Sequence, residues 1–346
     1  MRKLIIILIL LPMMVLTAKA QNPEFPTLPS EAQEYMPHES QSFTDGLMYI
    51  IGNAIKELTP DLSAGIKAAV FLLSAALATT YISSVNGSAK KSAELVCIII
   101  SGTVLLSSTN SLVHLGIETI QQLDGYSKLL LPIMTTALSS EGAVTKSAAL
   151  YGGTAIFSSL LTGVLTKLFI PVIYVFIVLC IADRAFDAGV LSSLKTFLKW
   201  LMTWILKLVL YVFTGYITVT GIASGSTDAM ALRATKITVS GMIPVVGGII
   251  SDASEAILVG AGLMKNTAGI YGIFAFLAIC IRPILKISVH CILLKITAAL
   301  CGVFGLKSQT GLVEDFSQAM SMALAATGSM CLLLLISTVA FMKGVQ

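Results

Sequence analysis

The fold turns on residues 68–113. "AAVFLLSAALATTYISSV" (68–85) and "LVCIIISGTVLLSSTNSLV" (95–113) carry no charge. As helices each covers about 27–29 Å, close to the ~30 Å hydrocarbon thickness of a bilayer. Between them "NGSAKK" (86–91) supplies Lys90 and Lys91, and the preference for basic residues in cytoplasmic loops places this turn in the cytoplasm. Two membrane helices joined by a short basic turn set the fold class: all-α and polytopic.

Bulk composition agrees. Of 346 residues, 56% are hydrophobic and 12% charged, and mean hydropathy is +0.90, outside the range of soluble globular domains. The 22 basic and 18 acidic residues are dispersed, with no Lys/Arg-rich run, so nucleic acid is excluded as a partner and membrane lipid is the expected one. All six cysteines lie in apolar stretches without a C-x-x-C pair, which gives no expectation of a disulfide framework or a zinc site.

Upstream of the hairpin, residues 1–20 have a basic start (Arg2, Lys3), an apolar stretch and a small-x-small ending at Ala18-Lys19-Ala20. This predicts a secretory signal peptide cleaved after Ala20. Residues 21–65 then form an acidic extracytoplasmic segment, proline-rich at first. Leu47, Ile50, Ile51, Ala54, Ile55 and Leu58 recur with helical period, predicting an amphipathic helix that leads up to Pro60.

Downstream, residues 66–346 read as a multi-pass domain of about seven to eight spans. Leu129–Ser140 is short and contains Pro132, so it is expected to re-enter or to be extended from Tyr126–Lys128. Ser147–Thr166 and Leu168–Ala182 flank Lys167, as a tight hairpin or one long broken helix near Pro171. Trp200–Ala223, Asn266–Ile281, Ile287–Leu306 and Ala319–Met342 complete the set. Lys195, Lys199, Lys207, Trp200 and Trp204 are read as interfacial anchors, and Asp183 and Asp187 as a solvated helix end beside Arg184.

Catalytic chemistry finds no foothold. There are three histidines and no H-E-x-x-H, G-x-S-x-G or G-x-x-x-x-G-K-[ST] pattern, so neither an enzyme nor a cofactor site is expected. Arg282, Lys286 and His290 recur every four residues on one helical face, as a polar membrane stripe or as interfacial anchors. Lys295 lies on the opposite side and calls for an internal partner.

"GMIPVVGGIISDASEAILVGAGLMKN" (241–266) has the length of a span but carries Asp252 and Glu255. Its nine Ile, Leu and Val residues favour insertion by about 3–5 kcal/mol, whereas two central charged acids oppose it by roughly 5–7. Gly248, Asp252, Ala256 and Gly260 form a small-residue stripe suited to close helix packing, and Pro244 with Gly247 and Gly248 breaks the helix near its start. A broken or re-entrant element follows, buried in protein or lining water. Arg233 and Lys236 are the nearest basic partners for its acids.

The wider block, "LRATKITVSGMIPVVGGIISDASEAILVGAGLMKNTAGIYG" (232–272), resembles the signature of the stage III sporulation protein AE family of endospore-forming bacteria. Matching positions are Arg233, Lys236, Pro244, Gly247, Asp252, Lys265, Asn266 and Gly269. The resemblance extends through "RPILKISVHCILLKITAALCG" and an uncharged final helix, although the exported segment is shorter than the family's. It implies a multi-pass subunit, without a catalytic role, of a transenvelope channel or secretion-like complex. That complex contains the other stage III sporulation A proteins and, through it, stage II sporulation protein Q. It joins mother cell and forespore, resides in the mother-cell membrane around the forespore, and supports late forespore gene expression. The alternative from the residues alone is a stand-alone secondary transporter with a mid-membrane substrate site.

Overall fold

A computed structural model of the chain describes residues 25–37, 43–85, 90–140, 144–186, 190–219, 267–305 and 307–343. Every regular element among the described residues is helical: α1 (Ser30–Gln33), α2 (Phe43–Lys56), α3 (Leu58–Val85), α4 (Lys90–Ser140), α5 (Val144–Val164), α6 (Ile170–Phe186), α7 (Val190–Val219), α8 (Thr267–Val303) and α9 (Lys307–Lys343). A π-helical turn, Leu165–Phe169, joins α5 to α6. Among the described residues six stretches are long and apolar enough to cross a membrane: Phe43–Ile82, Lys91–Ser139, Ser147–Ala185, Leu191–Thr218, Ala268–Val303 and Lys307–Met342.

The count among described residues falls below seven or eight because helices run through places where the sequence reading put breaks. Leu129–Ser140 does not re-enter; it forms the last turns of α4, with Pro132 inside the helix. The two halves of α4 join through Asp124 and Lys128, whose charges neutralise each other at 2.7 Å. Likewise α8 continues past Arg282, Pro283 and Lys286. Ser147–Thr166 and Leu168–Ala182 are one continuous helix rather than a hairpin: Pro171 has no amide for the Lys167 carbonyl, and the π turn widens the helix at that step. The amphipathic helix expected to lead up to Pro60 is α2, which ends at Lys56. After a one-residue break at Glu57, α3 starts at Leu58, and Pro60 sits in its first turn, where an amide is not needed.

At 51 residues α4 is about 77 Å long, and α8 and α9, at 37 residues each, about 55 Å. All three exceed the ~30 Å hydrocarbon layer. The outward face of α4 changes accordingly. It is apolar at Leu95, Val96, Ile99 and Ile100, then polar at Ser111, His114, Glu118, Gln121 and Lys128. The change falls about 30 Å from Lys91, where a hydrocarbon layer starting there would end.

The antiparallel pair α8–α9 forms the centre. Of the apolar stretch in α9, 89% is buried inside the bundle, against 11% of that in Phe43–Ile82. So α9 is enclosed by protein, while α3 shows Ile66, Val70, Phe71 and Leu77 to the surroundings, as a lipid-facing helix does. The connection between α8 and α9 turns at Gly305, whose φ of +73° suits a residue without a Cβ at a helix C-terminus.

One end of the bundle gathers the end of α6 and the starts of α7 and α9, through Arg184, Lys195 and Asp315. The opposite end holds residues 25–37, α2, the start of α8 and the end of α7, where Tyr216 Oη donates to the Ala149 carbonyl at 2.6 Å. The expected signal peptide, with its cleavage after Ala20, lies outside the described residues.

Candidate functional site

Two clusters of charge organise the bundle, one at each end. The first seats the chain's N-terminal segment. Arg282 and Lys286 are one helical turn apart on α8, and both meet acids from before or within the first turn of α3. Arg282 Nε lies 3.2 Å from Glu57 Oε2, and its Nη1 lies 3.7 Å from Glu31 Oε2; Lys286 Nζ lies 2.8 Å from Asp61 Oδ1. Tyr35, almost fully buried, donates its hydroxyl to Glu57. Burial first, and then the Glu57 carboxylate, hold the Tyr35 phenol above its ordinary pKa.

Aromatic contacts complete the seat. Phe25 stacks on Tyr271 at 4.1 Å and Phe43 on Phe274 at 5.1 Å. Tyr126 and Tyr271 both direct their hydroxyls to the Pro26 carbonyl at 3.4 Å. The buried face of α2, Phe43, Gly46, Ile50 and Ala54, shares Ile50 and Ala54 with the face expected from the sequence, whereas Ile55 of that face is exposed and Leu47 and Ile51 are half-buried.

The second cluster is buried among α6, α7 and α9. Lys195 Nζ lies 2.8 Å from Asp183 Oδ2 and 2.8 Å from Asp315 Oδ2, and Arg184 Nε approaches Asp315 Oδ2 at 3.3 Å. Lys195, Asp183 and Asp315 are each at most 10% exposed, so two acids and two bases balance where uncompensated charge is costly. Asp183 Oδ1 has no hydrogen-bond partner among the described residues. Gly311 makes room for the guanidinium of Arg184: a methyl at that position would run into it. One turn along α7, Lys199 Nζ donates to Gln318 Oε1 at 3.3 Å.

This cluster corrects two expectations. Asp183 is not part of a solvated helix end, and Lys195 does not snorkel; each is the other's partner. Sequence reading missed it because Asp315, which binds both helices together, lies 120 positions from Lys195. Lys199 and Lys207 separate from Lys195 in role, and Lys207 Nζ is buried without a partner among the described residues.

Along the expected polar stripe, Arg282 and Lys286 carry the seat, whereas His290 does not extend it; its Nε2 is buried without a hydrogen bond to any of the described residues. Lys295 is exposed and among the described residues does not have the internal partner its depth called for, because it points away from the packed side of α8. Of the signature residues, Gly269 is buried where α8 meets the end of α9, and a methyl there would run into Met342. Arg233, Lys236, Pro244, Gly247, Gly248, Asp252, Glu255, Lys265 and Asn266 lie outside the described residues. Among the described residues no group of three or more His, Cys, Asp or Glu is placed to hold a metal ion.

Comparison with known proteins bears on the same helices. Residues 32–344 match the family described as stage III sporulation protein AE. The chain is also similar to stage III sporulation protein AE of Bacillus subtilis (strain 168), with 27% identity over 201 residues that cover 58% of this chain and 50% of that protein. It thus spans half the length of the curated relative it matches. No solved structure matches. Because the family match runs from the seated N-terminal segment to the end of α9, the chain belongs to the stage III sporulation protein AE family.

Proposed function

We propose that this membrane protein is a non-enzymatic subunit of a transenvelope channel between mother cell and forespore. It would act with the other stage III sporulation A proteins and, through the complex, with stage II sporulation protein Q, from the mother-cell membrane around the forespore. Membership of a sporulation family supports the setting. The observation that carries the subunit reading is how the bundle uses its charges. Arg282, Lys286, Asp183, Lys195 and Asp315 each hold one segment of the chain to another. A stand-alone transporter needs such groups free to meet a substrate near mid-membrane.

The charge distribution supports an orientation. Lys91, Arg184, Lys199 and Lys307 gather at the end formed by the α3–α4, α6–α7 and α8–α9 connections, and the positive-inside preference assigns that end to the cytoplasm. Glu31, Glu57 and Asp61 with their seat then face the other side, as an exported N-terminal segment requires.

Reconstitution separates the two readings. Purified chain alone in liposomes is expected to take up no solute beyond the leak of empty vesicles. Saturable uptake of a solute by the chain alone would establish the transporter instead.

A further inference from the structure

Two of the six cysteines, far apart in sequence, meet inside the bundle. Cys280 on α8 and Cys331 on α9 are 51 positions apart, yet the antiparallel packing of the two helices sets their Sγ atoms 2.7 Å apart. That is closer than two thiols rest against each other and within an ångström of a sulfur–sulfur bond. Both side chains are buried, at 1% and 4% exposure. No other pair of sulfurs among the described residues is in such contact: Cys291 faces Ser317 and Ser321, and Cys97 lies near Ser101. In this structure all six are free thiols.

Position decides whether such a pair can be oxidised. Cys280 is two residues from Arg282, which binds Glu31 and Glu57 of the N-terminal segment. On the orientation proposed above, on which this step rests, the pair lies at the level of the seat, on the extracytoplasmic side where disulfides form and persist. We propose that Cys280 and Cys331 are joined by a disulfide that pins α8 to α9 beside that seat. The bond forms by exchange: one thiol loses its proton and attacks the disulfide of an extracytoplasmic thiol oxidoreductase, and the second thiol, also deprotonated, displaces the mixed disulfide. The two electrons and two protons leave with the oxidoreductase, now a dithiol. Because both sulfurs are enclosed in the folded bundle, exchange takes place before α8 and α9 close on each other.

The test counts thiols. Sporulating cells are quenched in acid, and the chain is denatured and treated with a polyethylene-glycol maleimide, with and without prior reduction. The expected result is four modified cysteines of six before reduction and six after it. In Cys97→Ser, three of five react before reduction; in Cys280→Ser, all five react. Peptide mapping of the unreduced protein should link the peptides that contain Cys280 and Cys331. Six reactive thiols in the unreduced wild-type chain would overturn the disulfide, and a link between any other pair would do the same. A separate variant, Lys56→Cys on the exposed side of α2, reports orientation. It is expected to react with an impermeant maleimide on intact cells that produce the chain outside sporulation. Labelling there with all six native thiols free removes the disulfide alone; labelling only after lysis removes the orientation.

Discussion

Removal of Lys195 is the most informative single perturbation of the bundle. Its ammonium lies 2.8 Å from each of two carboxylates, and all three side chains are nearly enclosed. In Lys195→Ala, Asp315 keeps Arg184 at 3.3 Å, but Asp183 loses the cation that balances it. Breaking a buried pair on one side costs about 3–5 kcal/mol, or roughly two to three and a half powers of ten in the folded ratio. The double variant Lys195→Met with Asp183→Leu removes a whole pair and leaves Asp315 with Arg184, so most of that loss should return. Unfolding in mixed micelles titrated with dodecyl sulfate measures both, read by the fluorescence of Trp200 and Trp204, the two tryptophans of the chain, on α7. The reasoning is refuted if Lys195→Ala unfolds within about 1 kcal/mol of the parent, or if the double variant is no more stable than the single one.

Three further outcomes follow from the packing. Arg282→Glu should release residues 25–61 to added protease, and Glu57→Arg in the same chain should restore protection; no rescue would mean that the seat does not depend on this pair. Gly153→Ala should cost about 1–3 kcal/mol, because the methyl meets the Tyr216 ring. Gly152→Ala, with open space beside it, should gain up to ~1 kcal/mol of helix propensity, and equal effects at the two positions would contradict the packing. Tyr35 holds its proton more tightly when seated than when free, so its contribution is complete below the free phenol's pKa of about 10 and is lost as pH rises through the higher folded value. The protection of residues 25–37 from hydrogen exchange, measured relative to the intrinsic base-catalysed rate at each pH, should therefore fall above about pH 10 in the parent, and Tyr35→Phe should flatten that dependence.

The uncharged runs at 68–85 and 95–113 made the membrane class legible, and the period of Ile50 and Ala54 marked the buried side of α2. Span boundaries were less legible because a charged residue in an apolar run has two physical meanings. It ends a helix if it must reach water, and it does not if a partner meets it inside. Arg282 and Lys286 are of the second kind, and their partners Glu57 and Asp61 could be matched to them only with the helices in place, whereas Lys128 stays on the outward face of α4 with Asp124 one turn before it. The same holds for Lys195, which meets Asp183 directly and Asp315 on another helix. Spacing rules detect ligand sets close together in sequence, so the Cys280 and Cys331 contact also lay beyond them. The block 232–272 carried the family resemblance, and of its marked positions Gly269 is the one that the described helices show in place.

Affinity isolation from sporulating cells tests the central claim most directly. The tagged chain, extracted in mild detergent after brief crosslinking, should bring down the other stage III sporulation A proteins and, through them, stage II sporulation protein Q. The same tag on an unrelated multi-pass protein should recover none of them. Recovery of the chain by itself, from cells in which those proteins are present and crosslinked to one another, would contradict a role as a subunit of their complex.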